Sequence, residues 1–540
     1  MNLLHFGFKV KDIARSSALY ADLFGIVWDP IREYDVPVTV DGQARRNRSY
    51  VTHGKTSDGI EIEMVQPIEG EVPDDIALGG REGISHVPSP SSTWRRKRRG
   101  SRRVGSPSSM RARRPGRTGC SSPTRGSAGR WSSSFNCMTR AEPYALLQRH
   151  DAGGDAMGLT GIAPFRVAVS DAEIADLRAR LDGTRWADQL SESGWDYGTD
   201  GDYLRRLCDY WRDGFDWRAF EARFNRFSHY VADADGQRLH FYHLRSPEPA
   251  ARPLIITHGW PGSVAEFLDV MGPLSDPAAH GGDPADAFHV VAPSLPGFGF
   301  SGPTRVRGYR ARTIADAFDG LMQALGYEAY FAQGGDWGSL ITILLAANYP
   351  QRVKAIHLNF MPAPPPNPEN PAEGLDAAEL EGLKRTQHFM AHETGYQAIQ
   401  GTKPQTLAYG LTDSPAGLAG WIVEKFRGWS DCGGDVENSF SRDRLLDNIS
   451  VYWLTGTINS SMRLYYEEAG PGRRQPLPDV TVPTGHAVFP GEIIHTPRRW
   501  AEAKFNIARW QAMPRGGHFA AMEVPDLYVD EVRAFFREYR

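Results

Sequence analysis

The segment Gly334-Gly-Asp-Trp-Gly338 places an aspartate between glycines, after the apolar stretch 329–333 and before a helical pattern at 339–348. This is the pattern of a nucleophile elbow, a sharp strand-to-helix turn with small flanking residues, except that Asp336 replaces serine. An aspartate before a helix is merely an N-cap in about half of cases; the glycines and the preceding strand lower that share to roughly one tenth. A carboxylate is a poor acyl acceptor but displaces leaving groups from saturated carbon, forming an ester. The motif predicts attack on an epoxide or an alkyl halide.

An ester on Asp336 must then be hydrolysed, which requires a base to activate water and an acid to orient that base. His518 lies in the segment Arg515-Gly-Gly-His-Phe519, ahead of a helix at 525–539, and Glu492 follows a predicted strand near 480–483. A lone His or Glu is structural roughly seven times in ten, but the chain order of nucleophile, acid and histidine reverses that ratio. We predict the triad Asp336, Glu492 and His518.

Two further strand-to-loop junctions precede the elbow. The strand at 253–257 runs into His258-Gly-Trp-Pro-Gly-Ser263, and the strand at 288–292 runs into a second tight loop at 293–301. A glycine-rich turn at the carboxyl end of a strand leaves backbone N–H groups free to bind an oxyanion. We therefore expect these loops to lie beside Asp336.

The length and composition set outer limits on the protein class. A chain of 540 residues is too long for one hydrophobic core. The net charge of -4 and the 41% hydrophobic content fit an ordinary globular protein and give no reason to expect a nucleic-acid partner. The 4 cysteines are scattered, which argues against zinc and disulfides and favours a reducing cytosol. Neither a signal peptide nor a membrane-spanning apolar run is evident. We expect a cytoplasmic protein without a membrane partner.

Three zones follow one another along the chain. Residues 1–87 show a strand at 3–10, a helix capped by Asp12 that Gly25 ends, and a strand at 59–67. Residues 88–156 are rich in Arg, Ser, Gly and Pro, with almost no aliphatic periodicity. Residues 157–540 alternate strand and helix patterns in the manner of a largely parallel sheet. The predicted fold class is thus α/β for the last zone, preceded by a small α+β module.

The middle zone admits three interpretations: a basic tail for anionic partners, a disordered linker, or a frameshift product. Read one frame away with GC-rich codons, 88–94 becomes Val-Ala-Val-Val-Asp-Leu and 131–139 becomes Val-Val-Glu-Leu-Gln-Leu-His-Asp. Both are strand-like in the same shifted frame, so we favour a frameshift that joined two reading frames. Resequencing of the gene tests this hypothesis, because a frame intact relative to close relatives contradicts it.

The last zone resembles the microsomal-type epoxide hydrolases from Ile162 to Arg540. Besides the motifs above, the matching segments are Arg185-Trp186, an aromatic-rich stretch through Trp217 and Phe224, Glu393-Thr-Gly-Tyr-Gln397, Thr402-Lys-Pro404, Thr412-Asp-Ser-Pro415 and Tyr452-Trp-Leu-Thr-Gly-Thr457. The resemblance implies an α/β-hydrolase fold with a helical lid. It implies an N-terminal meander at 157–250, a core at 251–365 and 476–540, and the lid at 366–475.

The same resemblance assigns roles to site residues. Tyr396 and Tyr465, the latter with Tyr466 adjacent, would polarise the epoxide oxygen while Asp336 opens the ring. The backbone N–H groups of Trp260 and Trp337 would receive the oxyanion during ester hydrolysis. The reaction would need only a small hydrophobic epoxide and water, without a cofactor, and a homodimer is a further expectation. A haloalkane dehalogenase shares the aspartate nucleophile, but it needs halide-binding donors in place of two ring-opening tyrosines.

Residues 3–87 resemble one module of the vicinal oxygen chelate, or glyoxalase-like, superfamily. His5, Glu63 and His86 fall near that superfamily's metal positions, and such ligands suit a divalent metal. Histidines in such positions are core residues rather than metal ligands in roughly 60% of cases, and this applies to His5 and His86. Most of a second module is missing, so we expect the metal site to be crippled or absent. The alternative is a glyoxalase-like metal-dependent enzyme or binding protein acting through this module.

Overall fold

In the computed structural model the chain divides into two compact units, Met1–Trp131 and Ser132–Arg540. The structure describes residues 158–470 and 475–540 and, before them, residues 5–9, 14, 17, 21, 27–40, 43–55, 61–69 and 83–84. The predicted linker at 88–156 lies outside the described residues, as does most of the helix predicted from Asp12.

The first unit contains a six-stranded sheet. Its strands are β1 (His5–Lys9), β2 (Val27–Trp28), β3 (Arg32–Val40), β4 (Gln43–Lys55), β5 (Glu61–Glu69) and β6 (Gly83–Ile84). The order is β2-β4-β5-β1-β6, with β3 paired to β4 as a hairpin. The strands predicted at 3–10 and 59–67 correspond to β1 and β5, which pair in parallel.

Two of the three predicted metal ligands lie in strands that the structure describes. His5 lies in β1 and Glu63 in β5, where Glu63 is in register with Gly7, whereas His86 is outside the described residues. Among the described residues, no group of three or more His, Cys, Asp or Glu side chains is placed to hold a metal ion. The metal site and the glyoxalase-like assignment stay predictions.

The second unit is built on a nine-stranded sheet. Its strands are β7 (Leu159–Phe165), β8 (His229–Ala234), β9 (Gln237–Leu244), β10 (Arg252–Thr257), β11 (Phe288–Pro293), β12 (Tyr330–Gly334), β13 (Val353–Leu358), β14 (Val480–Val488) and β15 (Phe505–Ala512). The order is β15-β14-β13-β12-β10-β11-β9-β8-β7. The six strands β10 to β15 pair in parallel, and β9, β8 and β7 add an antiparallel edge. The predicted largely parallel sheet is confirmed.

Helices cover this sheet and form the lid. They are α1 (Asp171–Asp182), α2 (Gly201–Asp213), α3 (Trp217–Phe224), α4 (Met271–Ser275), α5 (Ala311–Ala324), α6 (Asp336–Asn348), α7 (Ala377–His392), α8 (Gly395–Thr402), α9 (Pro404–Asp413), α10 (Pro415–Gly428), α11 (Arg442–Thr455), α12 (Ile458–Ala469), α13 (Arg498–Glu502), α14 (Ala520–Glu523) and α15 (Pro525–Phe536). Short 3-10 turns occur at Val264–Phe267, Ala278–His280, Pro284–Asp286, Gly299–Ser301, Val436–Asn438 and Arg537–Tyr539. Helices α7 to α12 lie between β13 and β14, where the lid was expected.

Local sequence explains where these elements begin. The central strands are short apolar runs such as Leu254-Ile-Ile256, fully buried as strands covered on both faces require. Helix α1 begins at a capping box in which Ser170 and Glu173 satisfy each other's backbone N–H groups. One continuous apolar core joins the meander, the sheet and the lid. Within the described residues, every helix is too short or too polar to cross a membrane.

Candidate active site

The elbow at Asp336 is a tight strand-to-helix turn between β12 and α6. Asp336 has a φ of 49°, in the left-handed region that non-glycine residues rarely occupy. A Cβ on Gly338 would lie 2.0 Å from the carbonyl oxygen of Thr257, and one on Gly334 would lie 2.2 Å from that of Gly338. The glycines therefore let α6 pack against β10 while the strained turn presents the aspartate.

The carboxylate of Asp336 meets the loop that follows β10. The backbone N–H of Trp260 donates a hydrogen bond to Asp336 Oδ1 at 2.8 Å. A Cβ on Gly259 would come within 2.1 Å of the same oxygen, so this approach requires glycine. The loop thus already holds one carboxylate oxygen where an oxyanion would form. Trp337 follows Asp336 in the first turn of α6, and the role of its backbone N–H stays a prediction.

His518 and Glu492 are brought to Asp336 by the loops after β15 and β14. His518 Nε2 lies 3.5 Å from Asp336 Oδ2, and His518 Nδ1 lies 2.6 Å from Glu492 Oε1. The loops are joined where the N–H of Gly491 donates to the carbonyl of Gly516 at 2.9 Å. The carboxyl ends of neighbouring parallel strands meet at one sheet edge, which explains how residues 182 positions apart become neighbours.

The charges around the imidazole fix its resting protonation state. Burial alone would lower the pKa of His518, but the negative charges of Glu492 and Asp336 outweigh it and raise the pKa well above its ordinary value. The imidazole is therefore held in its protonated form by these two neighbours. Loss of the Asp336 charge removes one of the two negative charges that raise the pKa of His518, so that pKa falls.

Tyr396 from α8 and Tyr465 from α12 lie together above the elbow. Their ring centroids are 5.8 Å apart, and both rings contact the buried indole of Trp260. Tyr465 is buried, whereas the neighbouring Tyr466 is only half-buried. Burial raises the pKa of both phenols, and nearby negative charge, including that of Asp336, raises it further. They remain protonated donors at neutral pH.

Three further residues, which the sequence motifs did not predict, lie at the site. The carbonyl of Trp429 accepts a hydrogen bond from the His518 backbone at 2.9 Å, and its ring packs on Tyr396. The ammonium of Lys425 lies 4.8 Å from the centre of the Tyr396 ring. The carboxyl group of Glu266 packs against Gly262 in the loop after β10. Of the three, only Glu266 could have been found from the sequence, because it is an acidic residue between apolar residues just after the glycine-rich turn.

Two family models match the chain. Residues 162–267 match the model described as "Epoxide hydrolase N terminus". Residues 252–390 match the model of the "alpha/beta hydrolase fold". The first covers the meander and the loop after β10, and the second covers the elbow.

Curated relatives and solved structures match the same region. A protein of Stigmatella aurantiaca named "Putative epoxide hydrolase" is 47% identical over 70% of this chain and 86% of its own length. "Epoxide hydrolase 1" of Sus scrofa is 38% identical over 69% of this chain and 88% of its own. The crystal structure of juvenile hormone epoxide hydrolase from the silkworm Bombyx mori aligns with a TM-score of 0.65 at 30% identity, covering 70% of this chain and 96% of that one.

Proposed function

This chain belongs to the epoxide hydrolase family of α/β-hydrolases and is an epoxide hydrolase; on that premise, we propose that it opens its substrate through an alkyl ester on Asp336. The observation that carries the proposal is the carboxylate held at 2.8 Å by the N–H of Trp260 and at 3.5 Å from a glutamate-bound imidazole. The nucleophile Asp336 thus has both a base, His518, and an oxyanion donor, the N–H of Trp260, beside its carboxyl group.

Ring opening uses the two phenols. Asp336 Oδ2 bonds to a ring carbon, the carbon–oxygen bond of the epoxide breaks, and the oxygen takes a proton from Tyr396 or Tyr465. The charge on Asp336 disappears in the ester, so the pKa of His518 falls and the imidazolium releases its proton. That proton restores the phenol that gave its own proton to the ring oxygen, and the imidazole becomes a neutral base.

Ester hydrolysis restores the starting state. His518 takes a proton from water, and the hydroxide bonds to the ester carbonyl carbon while the N–H of Trp260 stabilises the oxyanion. The bond between that carbon and Oδ2 breaks, and Oδ2 leaves with the substrate and takes the remaining hydroxide proton. A vicinal diol leaves, and the Asp336 carboxylate and the imidazolium are regenerated.

The aromatic surroundings favour a small hydrophobic epoxide as the substrate. Trp260, Trp337, Trp429 and the two tyrosines contact one another around the elbow. The phenol pair matches the needs of an alkoxide leaving group, which must be protonated, better than those of a halide, which need not be. This supports epoxide hydrolysis over dehalogenation.

Removal of the two phenols tests the role assignment. Each of Tyr396→Phe and Tyr465→Phe should slow ester formation about 100-fold, and the double variant should abolish epoxide turnover. Tyr409→Phe is the matched control, because Tyr409 is a lid tyrosine that is 71% exposed. Retained turnover in the double variant contradicts the assignment.

Two expectations concern the protein beyond its site. We propose a cytoplasmic location, because the cysteines are scattered in the sequence and such spacing favours a reducing compartment, and we also propose a homodimer. Fractionation of the source cells and sedimentation of the purified chain measure them directly.

A further inference from the structure

A small cavity adjoins Asp336 within the α/β core. Its volume for the centre of a water molecule is about 20 Å³, which is the room that one buried water needs. The polar side chains that line it include Glu266, Gln333, Asp336, Asn359, His518 and Tyr528, together with Thr257 and His258. Within the described part of the chain, its lining includes neither Tyr396 nor Tyr465. The cavity is therefore distinct from the place where the phenols meet the epoxide.

Some of these polar groups are already engaged with each other. The hydroxyl of Tyr528 donates to Gln333 Oε1, and Gln333 Nε2 donates to Asn359 Oδ1 at 2.8 Å. His518 Nε2 lies 3.5 Å from the Asp336 carboxylate, which is the limit of a hydrogen bond. The imidazole, the carboxyl of Glu266 and the reacting carboxylate supply the two to four partners that a buried water requires.

Glu266 is built into the loop that stabilises the oxyanion. It lies in the 3-10 turn Val264–Phe267, and the backbone N–H of Gly259 donates to its carboxyl group. A Cβ on Gly262 would lie 1.6 Å from Glu266 Oε1, so the loop is shaped around this side chain. Burial raises the pKa of Glu266 to about 8. At neutral pH it is an uncharged acid with one O–H donor and one C=O acceptor.

We infer that this cavity is the binding site of the hydrolytic water and that Glu266 is the residue that positions it. The inference rests on the proposed ester mechanism and adds the source of the nucleophile in its second step. A water held between Glu266 and His518 Nε2 gives one proton to the imidazole, and its oxygen bonds to the ester carbon of Asp336. The bond between that carbon and Oδ2 breaks, Oδ2 leaves with the product and takes the second water proton, and Glu266 keeps its own proton throughout.

Single-turnover kinetics with styrene oxide separate the two steps. Quenched samples analysed by mass report ester formation on Asp336 and ester loss as separate rates. Glu266→Ala should slow ester hydrolysis by about 10- to 100-fold and leave ester formation within about threefold. Glu266→Gln is the matched control, since an amide keeps one donor and one acceptor, and it should recover most of the hydrolysis rate.

The alternatives give different results. Equal slowing of both steps means that Glu266 only shapes the loop, and no slowing means that water arrives from elsewhere; either result overturns the inference. If Glu266→Ala does not fold, Ala521→Val fills the same cavity and should slow hydrolysis alone; unchanged hydrolysis then overturns it. A wild-type enzyme that forms no ester contradicts the proposed mechanism rather than the water site.

Discussion

At the scale of single residues, the site works through the charge on one carboxyl group. Ionised Asp336 stabilises the imidazolium of His518, and esterified Asp336 does not. In the proposed mechanism, the same residue that attacks the epoxide therefore also switches its neighbour from acid to base. Glu492 completes the arrangement, because its carboxylate holds His518 Nδ1 at 2.6 Å.

The unfolding free energy should report the buried acid Glu266. Its pKa is about 8 in the folded protein against an ordinary value of 4.5, so the folded state binds more protons between these values. Its contribution to stability is complete below pH 4.5 and is lost as pH rises towards 8. Glu266→Gln should gain stability relative to the wild type over that window. Urea unfolding at several pH values measures the difference, and a pH-independent difference contradicts a neutral Glu266.

The groups that face Glu266 do not mask this comparison. They are His518, Asp336, Tyr528 and Tyr452, which are present in both proteins. Only a change in their own titration would distort the difference, and NMR of the His518 ring detects such a change.

At the scale of elements, the site depends on how closely α6 approaches β10. Gly338 sits against the backbone of Thr257, so an added methyl group has no room. This contact, rather than helix propensity, places Asp336 at the sheet edge. Substitution of Gly338 therefore tests whether the close contact between α6 and β10 is needed for the elbow to form.

Gly338→Ala should destabilise the protein by about 3 kcal/mol or more, because the methyl group meets backbone atoms. Gly410→Ala is the matched control: Gly410 lies inside α9 with nothing within 4 Å of an added Cβ, and alanine should stabilise that helix by about 0.5–1 kcal/mol. Thermal unfolding of both variants measures the effects. Equal stabilities would contradict the packing argument.

The meander is joined to the lid by an ion pair whose carboxylate is buried. Arg223 on α3 contacts Asp447 on α11 at 2.6 Å, and the Asp447 side chain is fully buried. Arg223→Ala leaves that carboxylate without its main partner and should cost about 3 kcal/mol. Lys384→Ala removes an exposed pair with Glu381 and should cost less than about 1 kcal/mol. Denaturant unfolding compares them, and a similar small loss in both would show that the pair contributes little.

Sequence patterns located these elements better than their ends. The elbow is a local signal, and the chain order of nucleophile, acid and histidine is that of the fold class, so Asp336, Glu492 and His518 were predictable as neighbours. The strand predicted at 480–483 continues to Val488, because register shifts around Pro483 and Gly485 let β14 pass a residue that usually ends a strand. Helix α6 begins at Asp336 rather than 339, since the elbow residues form its first turn. Glu266 and Trp429 gain their roles only from packing between distant segments.

At the scale of the whole molecule, the described catalytic groups all lie in one unit. The sheet from β7 to β15, the lid and the triad belong to residues 158–540. The composition break at 88–156 separates them in sequence from the first unit. The two units are therefore expected to differ in function as well as in fold.

Deletion of residues 1–156 should leave kcat and KM for an aromatic epoxide within about twofold, because no described site residue is removed. The steady-state kinetics of the shortened and full chains provide the comparison. A loss of activity with a folded second unit would mean that the first unit takes part in catalysis.

The central claim is that Asp336 becomes esterified and is then regenerated by water. A single turnover in heavy-oxygen water, followed by mass analysis of the peptide that carries Asp336, tests it most directly. Attack of water on the ester carbonyl predicts heavy oxygen in that carboxylate after one turnover. Label found only in the diol would mean that water attacks the epoxide itself, which would contradict the ester mechanism.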